Sequence, residues 1–105
     1  MDKTFSPFTF LGIEKAPSDR FGVYGIWYRG RCIYVGLAQK QSIRERLTNH
    51  KIGASNIKLK HYIQAFNEEL SFCFEIYEPH EAITREREYI NKLQPITNII
   101  RYKEK

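Results

Sequence analysis

Two runs rich in aromatic and β-branched residues, "FGVYGIWY" (21 to 28) and "RCIYVG" (31 to 36), flank the dipeptide Arg29-Gly30. That arrangement predicts an antiparallel hairpin and so commits the chain to a sheet near its start. Gly30 sets the register. If it takes the left-handed position that ends a three-residue loop, Trp27 pairs with Arg31 and Tyr24 lies opposite Tyr34, both phenols on one face. A two-residue loop instead sends the two tyrosines to opposite faces, because side chains alternate along a strand.

The rest of the chain must fit around that hairpin within 105 residues, which suffices for one domain with a single small core over residues 1–105. Its hydrophobic share of 42%, charged share of 28% and aromatic share of 14% are those of a globular protein and exclude disorder. A net charge of +5 fits a polyanionic partner. Cys32 and Cys73 stand alone in apolar runs, which reads as free, buried thiols in a reducing compartment. The N-terminus lacks the features of a secretory or transit signal, and no segment is long and apolar enough to span a bilayer, so a cytoplasmic location without membrane contact is expected.

Residues 1–20 carry Pro7, Pro17 and aromatics without a sustained period, and are expected to form an irregular arm over a core of residues 21–100, with 101–105 as a tail. Ser42-Ile43-Arg44-Glu45 is a capping box that starts a helix from about Ile43 to Ile52. Arg46 and His50, at i and i+4, share one of its faces. "IKLKHYIQAFNEEL" predicts a second helix with Leu59, Tyr62, Ile63, Phe66 and Leu70 as its buried stripe. "SFCFEIYE" alternates and predicts a third strand. A last helix follows between Pro79 and Pro95, with Ala82, Ile83, Tyr89, Ile90 and Leu93 facing inward. Glu86 falls in that apolar stripe while Arg85, Arg87, Glu88 and Lys92 do not. An inward carboxylate is costly unless paired, either with an arginine across the helix packing or with a metal ion. The order β-β-α-α-β-α places the chain in the α+β class.

"GVY" (Gly22 to Tyr24), nine intervening residues and "YVG" (Tyr34 to Gly36), then R-x-x-x-H at Arg46 and His50, Glu86 ahead of Tyr89-Ile90, and Asn98 beyond the proline occur in one order. Together they resemble the signature of the GIY-YIG nuclease superfamily over about residues 21 to 100. The resemblance implies a sandwich-like α/β arrangement, the GIY-YIG endonuclease fold: a three-stranded antiparallel sheet flanked by helices, with the active site on one sheet face. It also implies a metal-dependent endonuclease that hydrolyses DNA phosphodiester bonds with water, as in repair or mobile-element processing. Glu86 would hold the divalent cation, Mg²⁺ with Mn²⁺ as substitute.

Phosphodiester hydrolysis needs a cation on phosphate oxygen, a base for water and help for the leaving alkoxide. By the resemblance, Tyr24 is the general base or water-orienting phenol, although its ordinary pKa near 10 must then be lowered, by the metal or by Arg46. His50 is an alternative base that needs no such shift. Tyr34 would bind phosphate or the attacking water, and Arg46 would grip the scissile phosphate through its planar fork. On pattern alone the tyrosines read better as an aromatic hairpin pair, and Arg46 as a solvated charge. Gly22 and Gly36 would allow close backbone packing beside the site. Arg44, Lys51, Lys58, Lys60 and His61 would form a surface that follows the phosphate backbone, with Asn98 fixing a loop or the active-site tyrosine. DNA is the expected substrate, with RNA open. Target choice would come from a homodimer, a partner protein, the shape of the nucleic acid or the arm. A binding module without catalysis, or a subunit that positions a larger nuclease, is the competing reading.

Overall fold

The computed structural model describes Met1 and residues 4–98, so the expected tail and the end of the core lie outside the described residues. Its elements are β1 (Ser6–Pro7), α1 (Phe10–Ile13), β2 (Gly22–Tyr28), β3 (Arg31–Ala38), α2 (Ile43–Gly53), α3 (Ile57–Phe66), β4 (Leu70–Ile76) and α4 (Pro79–Leu93). The expected β-β-α-α-β-α order is present, preceded by one short strand and one helical turn. All strands pair antiparallel in one sheet of order β1-β4-β2-β3. The sheet therefore has four strands where three were expected.

The fourth comes from the arm. Ser6 and Pro7 pair with Phe72 and Ser71, and Phe8 is wholly buried, so the arm adds a short strand and one helical turn to the fold, while residues 14–20 run without regular structure. Thr9 caps α1 by accepting the Gly12 N–H at 2.9 Å. The arm then closes the start of α2: the Ile43 and Arg44 N–H groups, which the helix itself cannot satisfy, donate to the carbonyls of Arg20 and Pro17. Ser42 caps the same helix, its hydroxyl accepting from Glu45 N–H at 3.1 Å.

The hairpin combines one feature of each expected form, the two-residue loop and the shared tyrosine face. Arg29 and Gly30 both have positive φ, 49° and 79°, and form a two-residue turn between Tyr28 and Arg31. Tyr24 nonetheless shares a face with Tyr34, because the register shifts between Ile26 and Trp27. Ile26 pairs with Tyr34 and Trp27 with Cys32, leaving Ile33 as an extra residue. Ile33 and Tyr34 consequently both turn to the α2/α3 side, while Cys32 and Val35 turn to the α4 side. Tyr24 lies opposite Gly36, two pairs away from Tyr34.

Three layers result. On one face Tyr24, Ile26, Ile33 and Phe72 pack with Ile43 and Leu47 of α2 and Leu59 and Ile63 of α3. On the other, Val23, Trp27, Cys32, Val35 and Cys73 pack with Ala82 and Ile90 of α4. Two expectations within the helices are corrected. The second helix ends at Phe66, and Leu70 is the first residue of β4, drawn there by pairing with Tyr28. Ile83 is 44% exposed, so the inward stripe of α4 is narrower than its spacing suggests. Cys32 and Cys73 are both buried and form no disulfide among the described residues. Among the described residues, no helix is long and apolar enough to cross a membrane.

Candidate active site

The α2/α3 face of the hairpin carries the first three groups. Tyr24, at the centre of β2, is fully buried, and its hydroxyl lies 2.6 Å from Nε2 of His50 on α2. Tyr34 is half-buried, its ring 5.0 Å from that of His50 in an edge-on arrangement and 6.2 Å from that of Tyr24. This packing depends on Gly36. A Cβ there would stand 2.2 Å from Cζ of Tyr24. The i,i+4 spacing of α2 places Arg46 one turn from His50 and on the same side.

Tyr34, Arg46 and Glu86 line one open cleft of about 570 Å³, together with Leu37 and the loop residues Gln39, Lys40 and Gln41. Tyr34 is on the cleft, and the buried Tyr24 and His50 both pack against it without lining the cleft. Glu86 is half-buried on α4, and the charges of Arg46 and Glu86 influence one another across the cleft. They nevertheless form no ion pair: the two described pairs are Arg29–Glu69 and Arg85–Glu88, both exposed. Nε of Arg46 is buried and meets no acceptor among the described residues. A buried guanidinium donor without an acceptor is costly, and an anion entering the cleft would satisfy it.

Burial dominates the titration of these groups. It raises Tyr24, an effect the neighbouring Tyr34 reinforces and the Arg46 charge only partly offsets. Tyr24 is thus a neutral phenol at pH 7, and the expected lowering by Arg46 does not prevail. Tyr34 is likewise raised by burial against Arg46. Burial and the Arg46 charge bring His50 down to about 4, so its imidazole is neutral at pH 7 and a weaker proton acceptor than an unshifted histidine. Burial raises the Glu86 carboxyl, with Arg46 and then Arg87 opposing.

The chemistry of the donors fits a hard divalent cation held mostly by water. Among the described residues no three His, Cys, Asp or Glu side chains cluster as a metal cage, which leaves Glu86 as the single carboxylate on the cleft. Mg²⁺ commonly binds through one or two carboxylates and retains several waters.

Other residues expected at the nucleic-acid surface are differently occupied. Arg44 donates from Nε to Ala16 O at 2.8 Å and from Nη2 to Glu14 O at 2.7 Å, so it tethers the arm. Lys51 donates to Asn67 Oδ1 and lies over the rings of Phe8 and Phe10. Lys58, Lys60 and His61 are exposed on α3. Lys58 borders a separate groove with Asn56 and Thr97. The Asn98 amide pairs with both the N–H and the carbonyl of Val35, each at 2.9 Å, and so holds β3 beside Tyr34. Lys40, Gln39 and Gln41 were missed by sequence reasoning. Their signal was their place in the short connection between "YVG" and the helix of Arg46, which must border whatever those two motifs enclose.

Residues 20–101 match the GIY-YIG catalytic domain family. Among solved structures, the chain is similar to the GIY-YIG N-terminal endonuclease domain of UvrC from Thermotoga maritima bound to magnesium as its catalytic divalent cation. That likeness has a TM-score of 0.62 at 26% identity, covering 83% of this chain and 96% of that chain. Two point mutants of the same domain bound to the catalytic divalent cation give TM-scores of 0.62 at 25% and 26% identity, each over 84% of this chain and 96% of theirs. No curated protein matches the chain.

Proposed function

The chain belongs to the GIY-YIG catalytic domain family, a nuclease family, and on that premise we propose that it is a divalent-cation-dependent endonuclease hydrolysing DNA phosphodiester bonds with water. The observation that carries this reading is the shared cleft. Arg46 and Glu86 face it with opposite charges, make no ion pair with each other, and leave Nε of Arg46 without an acceptor among the described residues. A phosphate and a cation together would satisfy both residues.

Glu86 would hold Mg²⁺, with Mn²⁺ able to replace it. When bound, the cation supplies charge stabilisation to the phosphate and to the leaving oxygen. Arg46 grips the scissile phosphate, its fork supported by the rigid turn of α2. Tyr34, at the cleft wall, orients the water against the phosphorus. Tyr24 and His50 continue the path as a proton relay: the neutral imidazole can take the Tyr24 proton across 2.6 Å while Tyr34, the phenol on the cleft, passes a proton from the water to the buried Tyr24 oxygen. Both candidates for the base then act in one path, His50 as the terminal acceptor. Lys58, Lys60 and His61 on α3 serve as an outer contact surface for the phosphate backbone. Nicked or branched DNA in repair or mobile-element processing, in the cytoplasm, is the proposed setting. A second copy or a partner protein would narrow target choice.

The deciding experiment incubates the protein with labelled linear, nicked, flapped and four-way DNA and an RNA control, in Mg²⁺, Mn²⁺ or EDTA, beside Glu86→Ala. Cleavage that requires metal and disappears in the variant is expected. Equal binding by both proteins with no cut in any substrate would instead support a binding module.

A further inference from the structure

The bulge that brings Tyr34 onto the face of Tyr24 needs something to hold it, because the extra residue has left the ladder. Ile33 is that residue. Its carbonyl accepts two hydrogen bonds from Thr97, from the backbone N–H at 2.8 Å and from the side-chain hydroxyl at 2.5 Å. Thr97 is wholly buried, and its own carbonyl accepts from Asn56 Nδ2 at 2.6 Å. The same Asn56 caps α3 by accepting the Leu59 N–H at 3.1 Å. A hydrogen-bonded path therefore runs from the start of α3 through Thr97 to the residue immediately before Tyr34.

We propose that Thr97 is a positioning residue: its hydroxyl holds the carbonyl of Ile33 in the bulged conformation and so keeps Tyr34 directed at His50 and the cleft. Any residue but proline at 97 supplies the backbone N–H, so the hydroxyl is what the threonine side chain adds. Without it one lone pair of a buried carbonyl goes unfilled, and the bulged strand loses an advantage over the regular ladder, in which Tyr34 would face the other way. Asn98 restrains Val35 on the far side of Tyr34, so the displacement is a shift of the ring rather than a full slip. The consequence for cleavage rests on the nuclease reading; the consequence for Tyr34 rests on geometry alone.

Thr97→Val keeps the shape and removes the hydroxyl. Single-turnover cleavage should fall about tenfold or more, the loss expected of a displaced group at a reacting centre, while DNA affinity and its salt dependence stay unchanged. The NMR contact between the Tyr34 and His50 rings should weaken in the same variant, and Thr97→Ser should restore both. Thr97→Ala, which also removes the hydroxyl, gives the same test if the valine variant does not fold. Retention of both rate and ring contact in Thr97→Val overturns the proposal, as does an equal loss in Thr97→Ser. Should the wild type cut nothing, the nuclease reading falls, and the ring contact alone still decides whether Thr97 positions Tyr34.

Discussion

A methyl group at Gly36 cannot coexist with Tyr24 in its present rotamer, because the added carbon would meet Cζ and the hydroxyl oxygen at 2.2 and 2.3 Å. Gly36→Ala should cost on the order of 3 kcal/mol in urea unfolding, the upper part of the range for overpacking, and should disturb the Tyr24–His50 hydrogen bond. Unchanged stability would mean that the ring has room to move. His50 gives a second test at this scale. It is buried, and its folded value of about 4 lies below the ordinary 6.5. Its neutral form is the one the fold accepts, so its contribution is fully present above about pH 6.5 and is lost as pH falls toward 4. Stability should drop by about 2 kcal/mol between pH 7 and pH 5 from this residue, and His50→Gln should flatten that part of the profile. The identities of these groups were legible from spacing and motif, but their protonation was not. Tyr24 and His50 titrate as they do because of what buries them, and burial at a hairpin centre depends on helices that arrive later in the chain.

Within single elements, α2 and the loop before it exchange the roles that charge alone suggests. Arg44 lies in the helix that bears Arg46 and His50, yet its guanidinium is committed to the carbonyls of Ala16 and Glu14. Lys40, in the preceding loop, is exposed on the cleft. Arg44→Ala should lower stability by about 2 kcal/mol, the scale of charged hydrogen bonds, without changing the salt dependence of DNA binding. Lys40→Gln should do the reverse, reducing the slope of log K against log salt by about one while leaving the urea midpoint unmoved. A reversed pattern would return Arg44 to the DNA surface. The elements themselves were legible where periodicity ran long, as in α4, and where a cap marked a start, as at Ser42. Leu70 was misplaced because four residues after Phe66 suits a helix, while its partner Tyr28 sits in a strand 42 positions earlier. The bulge was beyond reach for the same reason: Ile33 is held by Thr97, 64 residues away.

Over the whole molecule, a net charge of +5 favours a polyanionic partner, while Glu86 places a negative charge on the cleft where the proposed scissile phosphate would sit. The two effects act over different ranges. The general charge acts over about a Debye length, roughly 10 Å at 0.1 M salt, whereas the carboxylate acts on the phosphate beside it. The longest dimension, 36 Å, spans about ten base pairs at about 3.4 Å each, so few phosphates contact the protein and one repulsive contact weighs noticeably. In EDTA, Glu86→Gln should therefore bind a non-hydrolysable DNA several-fold more tightly than the wild type, since the amide keeps the shape and removes the repulsion. With Mg²⁺ added at constant ionic strength, the wild type should gain and the variant should not, because only the carboxylate is a strong ligand for the cation. Fluorescence anisotropy in both conditions reads this as a narrowing gap between the two proteins. A gap of the same size with and without Mg²⁺ would show that Glu86 repels DNA without holding a metal, and the source of cleavage would then have to be sought away from α4.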